Sequence, residues 1–134
     1  MTVRSPAGLN FRLRPETFGI YRLPPDQWLD PARLAAAAWY SLTRTEDELS
    51  VVVPAGIGID AADRQPGWRC LQIAGVLDFS TVGILAGISR LLAGSGVSIF
   101  AVSSYNTDHI LVRAEATETA LRALTAAGHT VESS

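Results

Sequence analysis

At 134 residues the chain has room for one compact domain, or for two very small ones packed closely together. Hydrophobic residues make up 48% and charged residues 18%, which supplies a core and argues against disorder. Eleven Lys and Arg nearly balance thirteen Asp and Glu, and the net charge of −2 lacks the basic field that non-specific nucleic-acid binding requires.

A single cysteine rules out an intrachain disulfide and fits a reducing, cytoplasmic setting. Met1 to Asn10 carries no continuous apolar run, so no secretory signal is expected. The longest apolar stretch, Val82 to Val102, is broken by Gly83, Gly87, Arg90 and Gly94-Ser95-Gly96. It reads as helix, turn and strand, and no membrane span or membrane partner is expected.

In chain order, Leu9 to Leu23 is predicted to be extended: Leu9 to Leu13 alternates apolar and polar residues, and Phe18 to Leu23 follows Pro15. Pro24-Pro25 stops it, and Asp30-Pro31 places a capping carboxylate before a proline, starting a short alanine-rich helix over Ala32 to Ala38. Trp39–Arg44 and Leu49–Val53 are predicted to form a hairpin about Thr45 to Glu48. Pro54 to Gly67, rich in glycine and proline, reads as a connector with one helical turn.

The remainder is more regular. Cys70 to Leu77 is nearly all apolar and predicts a central strand. From Ser80 or Thr81 to Ala93, Ile84, Leu85, Ile88, Leu91 and Leu92 recur at helical spacing, and Gly94-Ser95-Gly96 ends the helix. Val97–Ser103 and His109–Ala114 predict two more strands. Thr117 is expected to cap a last helix closed by Gly128, and Thr130-Val131 to begin a final strand. The order is β-α-β-β-α-β. Trp39–Val53 can also be laid on Phe100–Ala114 with Asp47 over Asp108, which suggests a repeated strand, acidic turn and return strand. The extra strand Leu9 to Leu13 is then expected to complete the N-terminal half.

The run from Val76 through Ser104 resembles an ACT domain: a strand ending at Asp78, a loop leading to Gly83-Ile84-Leu85 at a helix start, and a strand opening near Gly96-Val97-Ser98-Ile99. Tyr105-Asn106-Thr107-Asp108-His109-Ile110-Leu111-Val112 resembles an element of the ACT subfamily that includes animal cytosolic arginine sensors and short bacterial proteins. Val82 stands where that pattern usually has proline, and His109 where it has an aromatic residue. The resemblance implies an α/β (α+β), ferredoxin-like fold of two tandem ACT-like halves, residues 1–66 and 67–134, with antiparallel sheets and helices on one face.

It also implies amino-acid binding between ACT units. Independently of any family, a helix start offers unsatisfied N–H groups and a positive dipole end to a carboxylate. Val82, Gly83 and Ile84 stand at such a start, and Gly83 would let a ligand approach the backbone. Asp108 is the candidate partner for an ammonium or guanidinium, although an aspartate at a turn also stabilises its own turn. Ser104 and Tyr105 would add a hydroxyl and an apolar wall.

His109 and His129 have no His or Cys neighbour at ligand spacing, so no metal is expected. Cys70 reads as a core residue, and Gly56-Ile57-Gly58 lacks the third glycine of a dinucleotide loop, so no cofactor is expected. The expected function is a non-catalytic regulatory module that binds an amino acid or related small molecule as a homodimer. The rival is a protein–protein interaction module that holds no ligand. An acylphosphatase-like enzyme would need an arginine-bearing phosphate loop, where this chain has Asp78-Phe79-Ser80-Thr81.

Overall fold

The computed structural model describes residues 8–78 and 82–133. By compactness these form two units, residues 16–68 and residues 8–15 together with 69–133. The long strands β1 (Asn10–Leu23) and β4 (Asp63–Ile73) contribute to both.

In the unit of residues 16–68, β3 (Leu49–Pro54) runs antiparallel to β1, with Leu23 opposite Leu49 and Phe18 opposite Pro54. On its other side β3 pairs with β2 (Ser41–Arg44), giving the predicted hairpin. Leu49, Val51 and Val53 point to one face, as strand periodicity dictates, and join Leu23, Leu34 and Ile59 in a small core. The expected alanine-rich helix is reduced to one turn, α1 (Pro31–Leu34). Asp30 caps it as expected, its Oδ1 accepting from the Ala32 N–H at 3.0 Å. Leu34 alone of that turn is buried, so longer helix would have no apolar face to anchor it.

The hairpin turn is held by Thr45, whose Oγ1 accepts from the N–H groups of Asp47 (3.1 Å) and Glu48 (3.2 Å). Thr45 thus holds the turn through its own side chain, as hydroxyl residues at turns do.

In the other unit the strand order is β7 (Thr130–Ser133), the start of β1, β4, β6 (Asp108–Arg113), β5 (Ile99–Ser103). Helices α2 (Ile84–Gly94) and α3 (Thr117–Ala126) follow β4 and β6. The second predicted hairpin is present: β5 and β6 are antiparallel, from Ile99 opposite Val112 to Ser103 opposite Asp108. Phe11, Leu13, Leu71, Ile73, Ile110 and Val112 from the strands meet Ile88, Leu92, Ala120 and Leu124 from the helices in the larger core. This is a mixed α+β fold of the ferredoxin-like type.

Four further expectations change. Asn10 to Leu13 completes the C-terminal unit rather than the N-terminal one: it pairs in parallel with β7, and Phe11 and Leu13 enter the larger core. The connector is partly strand, since β4 begins at Asp63, with Gly67 at φ +81° absorbing the irregularity as a bulge does. β4 ends at Ile73 rather than Leu77, because the chain turns at Gly75, φ +86°. Thr117 does not cap α3: a 3-10 turn over Ala114–Ala116 runs straight into the helix, and the Thr117 hydroxyl donates back to the Arg113 carbonyl at 3.5 Å.

Both long helices stop as the glycines suggest. Val97 N–H donates to the Leu92 carbonyl across Gly96, and His129 N–H to the Leu124 carbonyl across Gly128. These glycines have φ +75° and +94°, the left-handed residue of a Schellman ending. The predicted start of α2 at Ser80 or Thr81 lies outside the described residues.

His129 is structural. It is buried, its Nδ1 accepts from the Leu9 N–H at 3.1 Å, and its ring meets Phe11 edge-on at 5.6 Å. Burial lowers its pKa, and burial followed by the charge of Arg14 lowers that of His109. Both folded-state values therefore fall below the unfolded value of 6.5, so the stability their neutral forms contribute is complete above that pH and lost below it. Thermal unfolding should thus begin to shift to lower temperature as pH falls below about 6.5, and His129→Asn should flatten that dependence. An identical pH profile in the variant would refute the assignment.

Candidate functional site

The first turn of α2 is positioned by its own packing. Ile88 and Leu92 are buried in the larger core, and Ile84 and Leu85 pack against it at the helix start. Gly83 precedes the helix at φ +89°, with no side-chain cap, and its carbonyl accepts the Gly87 N–H at 2.9 Å. In such a helix the preceding N–H groups, those of Ile84, Leu85 and Ala86, have no intrahelical acceptor.

These three residues line a cavity of about 310 Å³. Its other walls are Leu77 and Asp78, which follow β4, and Ser103, Ser104, Tyr105, Thr107 and Asp108 from the hairpin. Five of the six residues singled out in the sequence thus converge: Gly83, Ile84, Ser104, Tyr105 and Asp108. Val82 stands apart from the lining, 73% exposed.

Asp108 is not in the turn. It is the first residue of β6, opposite Ser103, whose hydroxyl donates to its Oδ1 at 2.6 Å. The two hairpins also superpose differently from the sequence alignment. Arg44 opposite Leu49 matches Ser103 opposite Asp108, and Thr45 N–H to Glu48 carbonyl matches Ser104 N–H to Thr107 carbonyl, both at 2.9 Å. Asp108 therefore corresponds to Leu49, two residues on from Asp47. A shift of two keeps every side chain on its face, which is why the apolar pattern did not expose it.

Sequence reasoning missed Ser103 and Thr107. Ser103 could have been found by closing a four-residue loop about Ser104 to Thr107; the role of Thr107 depends on β4 and had no local signal.

Chemically the cavity brings together a positive helix end, the carboxylates of Asp78 and Asp108, the hydroxyl-bearing residues of the hairpin, and Leu77 and Leu85 as apolar lining. That arrangement suits a small molecule bearing both charges. Among the described residues, no group of three or more His, Cys, Asp or Glu is placed to hold a metal. A second depression, about 400 Å³, lies in residues 16–68 beside Arg22, Asp47, Asp60 and Asp63. Its Arg22–Asp63 pair, 2.8 Å, is some 60% exposed and adds little to stability.

Residues 63–126 match the family model of the ACT domain. The ACT match spans β4 through α3 and includes every residue of the cavity. Protein Atu0741 of Agrobacterium tumefaciens is similar in structure over 96% of each chain, with 29% identity and a TM-score of 0.86. The ligand-free regulatory subunit of aspartate kinase from Thermus thermophilus is similar over 87% of this chain and 96% of its own, with 21% identity and a TM-score of 0.62. VC0802 of Vibrio cholerae, described as a possible transport protein, is similar over 85% of each, with 19% identity and a TM-score of 0.66. At those two identities the likeness is one of fold. Among curated proteins, none matches the chain.

Proposed function

We propose that the chain is a non-catalytic, cytoplasmic regulatory module of the tandem-ACT kind, akin to the arginine-sensor group. In this reading the chain is two ACT-like halves that divide in sequence between residues 66 and 67, with Asn10–Leu13 lent to the second half, and it acts as a homodimer. Its ligand is an amino acid or a related small zwitterion. The α-carboxylate sits on the N–H groups that open α2, and the ammonium or a side-chain cation meets Asp108. The reading rests on one observation: the first turn of α2 and the hydrogen-bonded Ser103–Asp108 pair line a single cavity. The ACT match and the likeness to a regulatory subunit of aspartate kinase support it.

Thermal unfolding in the presence of each of the twenty L-amino acids tests it. A ligand that binds only the folded state adds about 2.7 kcal/mol at a hundredfold excess over Kd, so at least one should raise the melting temperature by several degrees. Light scattering should give the mass of a dimer. A panel without any shift would favour a second reading, an ACT unit that pairs with another protein and holds no ligand. The exposed side chains of Val76, Val82 and Tyr105 (73, 73 and 80%), in and beside the segments that wall the cavity, lend it support.

A further inference from the structure

Thr107 is a polar residue in an apolar place. It is 4% exposed, and its hydroxyl donates to the Ile73 carbonyl, the last of β4, at 2.7 Å. Valine would fill the same volume, so what threonine adds is that bond. The turn before it is closed by Ser104, whose N–H (2.9 Å) and hydroxyl (3.0 Å) both donate to the Thr107 carbonyl. A third bond, from the Leu77 N–H to the Asn106 carbonyl at 2.7 Å, ties the segment after β4 to the same turn. Two walls of the cavity, the segment after β4 and the hairpin turn, are therefore fastened to one another through residues 106 and 107, immediately before Asp108.

We infer that Thr107 is a positioning residue: its hydroxyl clamps the β5–β6 turn to the end of β4 and so sets the place of Asp108 in the cavity that the start of α2 also lines. Its consequence for affinity rests on the binding reading above; the clamp itself does not. Without the hydroxyl, Ser104 still closes the turn, but the turn is free to swing from β4 and carry Asp108 with it. Burying the Ile73 carbonyl without its donor adds a local penalty that favours such opening.

Full-length Thr107→Val and Thr107→Ser are compared with wild type by amide hydrogen exchange without ligand. They are then titrated with whichever L-amino acid most raises the wild-type melting temperature. In Thr107→Val the Leu77 amide should exchange about tenfold faster and affinity should fall about tenfold, the scale of one lost hydrogen bond. Amides within β5 and β6 should keep their rates, and Thr107→Ser should restore both quantities. Unchanged Leu77 exchange in Thr107→Val overturns the clamp. So does faster exchange throughout β5 and β6 that serine fails to reverse, since that marks a general packing role. If Leu77 responds but affinity does not, Thr107 does not position the site. If no amino acid binds wild type, the binding reading falls while the exchange result still decides the clamp.

Discussion

Leu92→Ala should destabilise the protein by about 2–5 kcal/mol, the range for deleting a buried leucine side chain. Leu92 is wholly buried, on the face of α2 that meets Leu71, Ile73 and Ile110 of the sheet and Leu124 of α3. Its carbonyl also accepts the Val97 N–H that ends the helix, and Val97 belongs to the same core. The cavity left by alanine therefore sits where helix, sheet and helix ending meet, with little freedom to collapse. Against a total stability of roughly 5–15 kcal/mol the loss is large. Urea unfolding should show a lower midpoint with the slope preserved. Leu42→Ala, at a side chain 43% exposed, should move the midpoint far less. Comparable shifts in the two variants would contradict the burial argument.

Asp108→Ala should weaken ligand binding more than tenfold, because a charge-assisted hydrogen bond contributes about 1.5–3 kcal/mol. The fold should persist. The side chain is only half-buried, and the Ser103 hydroxyl it leaves behind is exposed and can turn to water. Asp108→Asn separates charge from geometry, since it keeps an acceptor for Ser103 and loses the negative charge. Calorimetric titration should find both variants weak. Wild-type affinity in the asparagine variant would show that no cation meets this carboxylate, and wild-type affinity in the alanine variant would place the ligand elsewhere.

Much of the candidate site was legible because its parts lie close to sequence signals. A glycine before an apolar helical repeat marked the start of α2. An aspartate between two β-like runs marked the far wall. What lay beyond local reading was pairing. Ser103 faces Asp108 only once the register of the β5–β6 hairpin is known, and an error of two residues leaves the apolar alternation intact. Thr107 looked like one more turn residue, whereas its hydroxyl bonds to a carbonyl thirty-four residues earlier.

The fold divides in the same way. Periodicity marked the strands of both hairpins and the apolar face of α2, and residue type marked the glycine endings of α2 and α3, since each depends on residues within a few positions of one another. Tertiary structure decided where the first strand belongs. Asn10 to Leu13 alternates as a strand would in any sheet, and nothing local distinguishes a place in one unit from a place in the other. It lies beside β7, where Phe11 meets His129, the Leu9 N–H finds the imidazole nitrogen, and the Thr130 hydroxyl bonds to Asn10. Those partners are some 120 residues away in sequence. Tertiary structure also drew β4 back to Asp63 through Pro66 and Gly67, residues that by propensity end strands. Local preferences amount to about 1 kcal/mol per residue or less, and a strand edge seeking partners for its backbone groups outweighs them.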